Sequence, residues 1–407
     1  ARDVVDEASL KRLSLTASLN LSLKRLEPET REGFIWLGIL PEDVNITQGM
    51  TAVLWDMDDE RDARDELGYL RSKALLLDGV ALSDGKKSYR LHDLFHDLAR
   101  NLLSAPLKPR GRGALAGLGI GLAEAHGIFL EKYRRLTDNY LWHTLPDDGY
   151  IHQHLVWHFE RAGMIGDIHG LLGEESKSGA NGWYETCDGL GRTGIFITDV
   201  ARAWELAEVD WDEGRLAQVV GWQCRYALIT ASINSLAANL PRELLVALVK
   251  NNVWSPEQGL AYALQKPDLE DKVESLVMLV DYLPENFKKQ ALSDALAAAR
   301  KIQRDKSRAQ ALSALTDKLP ELLPEAVAVA RHIQDEWGRA ELLSALADKL
   351  TPELLPEALA AARHIQDEDD RDHALSALAE NLTPELLPEA LAAARHIQDE
   401  WARAQVL

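Results

Sequence analysis

Two histidines stand four residues apart in the segment RLHDLFHDLAR and are the first candidates for chemistry. His92 and His96 would share one face of a helix, because residues i and i+4 are neighbours on a helix surface. Such a pair can bind a metal ion, and the repeated His-Asp dipeptide is a feature of metal-dependent phosphohydrolases. Those sites need further ligands from distant parts of the chain, which cannot be placed from the sequence. We therefore expect no metal site, and Asp93 is a plausible N-cap of the helix.

A second group of histidines lies further along the chain. His154 and His158 have the same spacing, and with Glu160 nearby they could be zinc ligands. The chain lacks the H-E-x-x-H pattern, and the neighbouring side chains are apolar. We therefore expect a packed helix with structural histidines, and the same holds for His152 and His169. Three further histidines recur at one position of a repeat and are also expected to be structural: His332, His364 and His396.

The candidates for covalent or phosphate chemistry are weak. Of the two cysteines, Cys187 in WYETCDGLGRTG is the better candidate for an exposed thiol, but no histidine partner is implied, so we expect no nucleophile. The nearest match to a phosphate-binding loop, GVALSDGKKS at 79–88, has five residues between its glycines, and Lys87 stands where Ser or Thr should follow Lys86. We expect no catalytic residue and no cofactor in this chain, which by itself is not an enzyme.

Composition excludes several classes of protein. The 65 acidic and 45 basic residues leave a formal charge of -20, which repels phosphate backbones and anionic lipids. Two cysteines are too few for a disulfide framework, and the chain has no apolar stretch of membrane-spanning length. We expect a soluble cytoplasmic protein with neither nucleic acid nor membrane as a partner. A chain of 407 residues predicts two to three domains.

The elements that position these residues are clearest in the C-terminal half. The motif TPELLPEALAAARHIQDE occurs at 351–368 and again, 32 residues later, at 383–400, and a related copy starts at Pro320. Apolar residues at helical spacing within one repeat are Leu355, Leu359, Ala362 and Ile365, followed by Leu375, Leu378 and Leu382. Each repeat is therefore predicted to be two short helices, the first beginning near Pro356. We predict an α-solenoid over 214–407, and we expect that Leu407 is not a natural end.

One edge of this array carries aromatic residues. After each Gln-Asp-Glu the sequence places Trp337, Asp369 or Trp401 in what we expect to be a loop. Aromatic side chains on one edge are often used to bind a partner, so Trp337 and Trp401 are the candidate partner-binding residues. The alternative is that each tryptophan packs against the adjacent loop. The carboxylates at 367–370 are expected to form a solvated turn.

The first hundred residues have a different pattern. Residues 60–77 predict an amphipathic helix that runs into a short strand, and 74–93 predict a hairpin whose turn contains Asp84 and Gly85. A helix starting near Asp93 completes a winged-helix layout over 26–105. Residues 26–100 hold 16 acidic and 9 basic residues, so this module lacks the positive surface that groove binding uses.

Several short blocks of this region resemble one family. Ile39 to Val44 read Ile-Leu-Pro-Glu-Asp-Val, 54–56 read Leu-Trp-Asp, and 91–93 read Leu-His-Asp before a helix. These blocks resemble the winged-helix domain of NB-ARC proteins, the STAND class of signalling ATPases that includes the apoptotic protease-activating factor and plant resistance proteins. Leu91 stands in place of the methionine of the family's Met-His-Asp motif. Residues 145–172 resemble the helical domain that follows, so the resemblance covers about 26–213.

The resemblance implies a role for His92. In the family this histidine contacts the β-phosphate of ADP and holds a closed, inactive arrangement, whereas the alternative from the residues alone is a histidine that caps or packs near the helix end. ADP or ATP with Mg²⁺ is expected only with an upstream nucleotide-binding domain, which this chain lacks. Residues 1–25 would be the tail of a helical linker domain, and 106–213 the helical domain.

The leading hypothesis is the regulatory and sensor portion of a prokaryotic-type NB-ARC signalling ATPase. The repeats would receive a protein or small-molecule signal, and the other domains would couple it to nucleotide state and oligomerisation. Two alternatives stay open: a protein-binding α-solenoid scaffold with a structural winged helix, and a DNA-binding transcription regulator.

Overall fold

The computed structural model describes residues 21–80, 85–109, 115–209 and 213–394, and it is mainly helical, as the sequence predicts. The chain divides into two compact units. The first comprises Ala1–Leu190 and Thr198–Gln223, and the second comprises Gly191–Ile197 and Cys224–Leu407. None of the helices in the described ranges is both long and apolar enough to cross a membrane. The finer predicted boundaries at 25, 105 and 213 stay predictions.

After helical residues at 21–24, the described part of the first unit continues with three helices, a pair of strands and a fourth helix. Their bounds are α1 Pro28–Trp36, α2 Gln48–Leu54, α3 Glu60–Ser72, β1 Leu76–Asp78, β2 Tyr89–Leu91 and α4 Asp93–Ser104. The strands pair antiparallel with Leu76 opposite Leu91, and Ile46 forms a bridge to Tyr89 on the other side of β2. The predicted helix and hairpin strands are therefore present, while Asp84 of the predicted turn lies outside the described residues.

Local sequence explains where these helices begin. Thr47 caps α2, since its hydroxyl accepts the backbone N–H of Met50 at 3.2 Å, and Asp59 caps α3 by accepting the N–H of Arg61 at 2.8 Å. The apolar face of α3 is buried through Ala63, Leu67 and Leu70, which follow helical spacing.

Gly38 allows a close packing contact beside α4. It lies in a short 3₁₀ turn, and a Cβ atom built on it would stand only 2.4 Å from the backbone nitrogen of Arg100. A side chain at this position would therefore push the turn away from α4.

The next helices of the first unit are α5 Leu122–Arg134, α6 Ile151–Ala162, α7 Ile165–Leu171 and α8 Gly182–Gly189. Two helices follow, α9 Thr193–Val209 and α10 Leu216–Asn239, and each has residues in both units. Helices α5 and α6 pack together, and Gly163 ends α6 in the left-handed conformation at φ 73°. The fully buried aromatic side chains of this region include Phe129, Tyr150, Phe159 and Trp183.

The second unit is a succession of short helices. After α10 these are α11 Arg242–Lys250, α12 Pro256–Leu264, α13 Leu269–Leu279, α14 Glu285–Lys301, α15 Asp305–Thr316, α16 Leu323–His332, α17 Glu336–Leu346, α18 Leu355–Arg363, α19 Glu368–Ala379 and α20 Leu387–Ala394. From α13 to α19, each helix packs on the next one along the chain. Alternate helices are also in contact, including α15 with α17 and α17 with α19.

The predicted apolar stripes form the core of this unit. Leu355, Leu359, Ala362 and Ile365 are buried, as are Leu375 and Leu378, while Leu382 is partly buried against them. Pro356 lies in the first turn of α18, as predicted. The repeat places Leu391 at the position of Leu359 and so predicts that it is buried, but Leu391 is only half-buried. The residues that follow this helix, 395–407, lie outside the described part of the chain.

A repeated arginine closes the turn between the two helices of a repeat. Arg308, Arg339 and Arg371 each donate from the guanidinium to the carbonyl oxygen of an isoleucine six residues earlier, just after the first helix ends. A charged donor at a helix C-terminus satisfies a carbonyl that has no partner within the helix. The same hydrogen bond therefore recurs once in each of these sequence repeats.

Candidate functional site

His92 is the N-cap residue of α4. Its backbone is extended, with φ -72° and ψ 140°, and the backbone N–H of Leu94 donates to its Nδ1 at 3.3 Å. The prediction that Asp93 caps this helix is wrong, since Asp93 is the first residue inside it. The strand pair positions the cap, because β2 ends at Leu91, which is held opposite Leu76.

The capping bond determines which atom of His92 faces outward as a donor. Nδ1 accepts a hydrogen bond, so the neutral ring carries its proton on Nε2. The side chain is exposed to solvent. An N–H donor beside the positive end of a helix is suited to an oxyanion such as a phosphate. The capping role and a phosphate contact are therefore compatible, because they use different nitrogens.

His96 has a different environment although it is only one turn away. It is 4% exposed, its Nε2 lies 2.8 Å from the carbonyl oxygen of Leu40, and its Nδ1 is buried without a hydrogen-bond partner. Since a carbonyl can only accept, Nε2 carries the proton. The two histidines therefore do not act as a pair: one is exposed at a helix end, and the other is buried beneath the loop after α1.

The second histidine group lies in the buried core of the first unit. His158 is fully buried on α6, and its Nδ1 lies 2.8 Å from Nδ1 of His126, a residue of α5 that the sequence analysis did not single out. The Tyr150 hydroxyl lies 2.8 Å from Nε2 of His158. One imidazole must donate and the other accept across the Nδ1 pair. Burial lowers the pKa of His126 and of His154 to about 4, and it lowers the pKa of His158 well below its ordinary value.

Two carboxyl groups, the partly buried Asp148 and the buried Asp199, belong to the same region. Asp148 accepts the Tyr133 hydroxyl and, at 2.8 Å each, the backbone N–H groups of Tyr150 and Ile151 at the start of α6. Asp199 accepts the indole N–H of Trp183 at 2.8 Å. Burial raises the pKa of Asp148 and raises that of Asp199 to about 7. These groups satisfy one another within a packed interior, and the arrangement does not resemble a set of zinc ligands.

The prediction that Cys187 is the exposed thiol is wrong. Cys187 lies on α8 and is buried, whereas Cys224 is the exposed cysteine. The segment around Cys187 is helical from Gly182 to Gly189, and its apolar face packs inward.

Trp337 lies within a helix and not in the predicted loop. Asp335 caps α17 by accepting the N–H of Gly338 at 2.9 Å, so Trp337 falls in the first turn. Its side chain is 48% exposed, and the Lys306 ammonium lies 3.3 Å from the ring centroid. Lys306 occupies the same place one repeat earlier, so the ring packs on the adjacent repeat and still presents half its surface. The other candidate, Trp401, lies outside the described residues.

Ion pairs recur along the repeats. Arg300 pairs with Glu325 at 2.6 Å and Arg331 with Glu357 at 2.8 Å, and Arg363 with Glu389 follows at the same position. Each pair links the first helix of one repeat to the first helix of the next. Because these side chains are half-exposed, solvent screens each pair, and the buried leucines dominate stability.

Comparison with models of known protein families finds no match, and a search of curated proteins finds no similar sequence. The assignment of a function therefore depends on the residues and geometry described above.

Proposed function

We propose that this chain is the regulatory and sensor portion of an NB-ARC signalling ATPase. The observation that carries the proposal is the position of His92. It directly follows a strand pair, caps the next helix through Nδ1 and presents Nε2–H to solvent. In this proposal Nε2–H contacts the β-phosphate of ADP held by an upstream nucleotide-binding domain.

The order of elements in the first unit supports the winged-helix part of the proposal. A helix, the bridge at Ile46, two helices and the paired strands β1 and β2 follow one another along the chain. This is the order of a winged helix, in which a short strand between the first two helices pairs with the hairpin that forms the wing.

The helix succession in the second unit supports the sensor part. Helices α13 to α19 pack on their sequence neighbours, which is the packing expected of an α-solenoid, an array whose surface is large relative to its core. The half-exposed ring of Trp337 offers an aromatic anchor on that surface. A protein or small-molecule signal bound there would favour one of two arrangements of the protein, with ADP retained in the closed one and oligomerisation following in the open one.

The test uses the full natural protein in which this chain follows a nucleotide-binding domain. His92→Ala removes both the cap and the phosphate contact, while His92→Asn keeps a good N-cap and removes only the imidazole. We expect both variants to retain less ADP after purification and to oligomerise more readily, because a contact made only in the closed state is lost. The measurement is nucleotide content by chromatography, together with oligomer size.

The two variants distinguish the phosphate contact of His92 from its role as the N-cap of α4. ADP retention equal to wild type in His92→Asn, with a defect confined to His92→Ala, would mean that His92 matters only as a cap. His373→Ala, which changes an exposed histidine of α19, is the matched control and should leave ADP retention unchanged.

The second candidate function is a protein-binding α-solenoid scaffold whose winged helix is structural, and the exposed ring of Trp337 favours it equally. A natural protein without any nucleotide-binding domain would select this candidate.

The DNA-binding alternative has less support. Two basic side chains near the strand pair are already engaged by carboxylates, with Lys86 3.1 Å from Glu60 and Arg71 2.5 Å from Asp78. Salt-dependent binding to arbitrary duplex DNA would revive it.

A further inference from the structure

A cluster of potential metal ligands lies beside His96. One ring nitrogen of His96 and one carboxylate oxygen each from Glu42 and Asp97 lie within 4.8 Å of one another. Among the residues that the structure describes, this is the one group of three His, Cys, Asp or Glu side chains that could hold a metal ion. The sequence predicted no metal here because no distant ligand could be placed, and folding brings Glu42 to the histidine.

The hydrogen bonding of His96 matches that of a metal-ligating histidine. Its Nε2–H donates to the carbonyl oxygen of Leu40 at 2.8 Å, which orients the ring and fixes the proton on Nε2. Nδ1 therefore keeps a lone pair, and it is buried without a hydrogen-bond partner. A buried acceptor without a partner destabilises the fold unless something binds it.

The two carboxylates provide charge and access. Glu42 and Asp97 are both exposed, so an ion could reach the cluster from solvent. Within the described ranges, neither carboxylate forms an ion pair, whereas the neighbouring Asp43 lies 3.7 Å from Arg90. Two carboxylates beside a neutral imidazole leave a local charge that a divalent cation would neutralise.

We propose that Glu42, His96 and Asp97 form a binding site for a divalent transition-metal ion of the Zn²⁺ or Co²⁺ type. One imidazole nitrogen favours these ions over Mg²⁺ and Ca²⁺, which prefer oxygen ligands alone. Ligand atoms around a tetrahedral Zn²⁺ lie roughly 3.4 Å apart. The exposed carboxylates can adjust to this spacing by changing rotamer. Water would complete the coordination, and the ion would link the loop after α1 to α4.

The test is a titration of the full 407-residue chain with Co²⁺ after treatment with a chelator, followed by competition with Zn²⁺ and with Mg²⁺. The readouts are calorimetry and the visible absorption of Co²⁺, which reports nitrogen and oxygen coordination. We expect one equivalent to bind saturably, with displacement by Zn²⁺ and none by Mg²⁺. Glu42→Gln and Asp97→Asn should each weaken binding about tenfold or more.

Asp93→Asn is the matched control, because it removes a carboxylate from the first turn of the same helix without touching the cluster. It should leave the Kd unchanged. The proposal would be overturned by the absence of saturable Co²⁺ binding, by binding that Glu42→Gln and Asp97→Asn leave unaffected, or by equal weakening in Asp93→Asn. His96→Ala is not required, since the loss of its bond to Leu40 could unfold the region. A cavity of about 10 Å³ that His96 lines is large enough for a single water, and the first of these outcomes would favour a bound water over a metal ion.

Discussion

Single residues in this protein owe their properties to burial more than to residue type. His92 is exposed and caps a helix, His96 is buried with one nitrogen unsatisfied, and His158 is buried in contact with another imidazole. The sequence around these three histidines does not indicate which of them is buried. Burial penalises the charged form of an imidazole, so the buried pair should make the first unit sensitive to acid.

We predict that acid destabilises the helix pair α5 and α6 through His126. Burial lowers its pKa to about 4, with smaller effects from Arg161 and Arg100, whereas an unfolded histidine titrates near 6.5. Above pH 6.5 neither state is protonated. Between pH 6.5 and 4 only the unfolded state binds the proton, so the free energy of unfolding falls as the pH falls. Between pH 7 and pH 5, the free energy of unfolding of His126→Gln should fall by roughly 2 kcal/mol less than that of wild type.

Hydrogen exchange of peptides covering α5 and α6 measures this local free energy of unfolding at each pH. Asp199 acts in the opposite direction, because burial raises its pKa to about 7 and its contribution is lost as the pH rises from about 4 to 7. Comparison of variant with wild type at equal pH cancels that contribution. His373→Gln, at an exposed position, is the control. Identical pH profiles for wild type and His126→Gln would contradict the prediction.

At the scale of elements, the repeats combine a buried leucine stripe with polar contacts nearer the surface. Leu359 of α18 is fully buried, while the ion pairs between repeats are half-exposed. Stability in such an array depends mainly on contacts between neighbouring repeats, so damage should stay local.

We predict that Leu359→Ala destabilises the neighbouring repeats by about 2 to 5 kcal/mol, because it removes buried methyl groups and leaves a cavity. Hydrogen exchange should show lost protection in α17 to α20 and unchanged protection in the first unit. Leu244→Ala is the control, since Leu244 of α11 is 48% exposed and its truncation should cost little. Protection lost equally in both units, or no loss anywhere, would disagree with a one-dimensional array.

At the scale of the whole molecule, the formal charge of -20 disfavours the approach of an anionic nucleotide. A phosphate-binding loop of the P-loop type has a Lys followed by Ser or Thr, and the nearest match, at 79–88, has Lys87 in the hydroxyl position.

We therefore predict that the isolated chain neither binds nor hydrolyses ATP. Calorimetry with ATP or ADP and Mg²⁺ should give no stoichiometric heat, and phosphate release should equal that of buffer alone. A folded sample is verified beforehand by its cooperative thermal melting. A one-to-one signal of micromolar or tighter affinity would show that a nucleotide site exists within these 407 residues.

The sequence by itself determined the periodic features of this protein. The 32-residue repeat, the leucine stripe through Leu359 and the helix that starts after His92 all follow from local spacing, and the structure contains each of them. Such features are readable because a helix brings residues three and four apart onto one face whatever surrounds it.

Only the tertiary structure decided which polar groups meet. The approach of His126 to His158, of Glu42 to His96 and of Lys306 to Trp337 joins residues on different elements, and the burial of Cys187 depends on what packs against α8. The energies that select these contacts come from burial and packing between segments distant in the chain. No local pattern contains that information, which is why the candidate metal ligand Glu42 could not be found from the sequence.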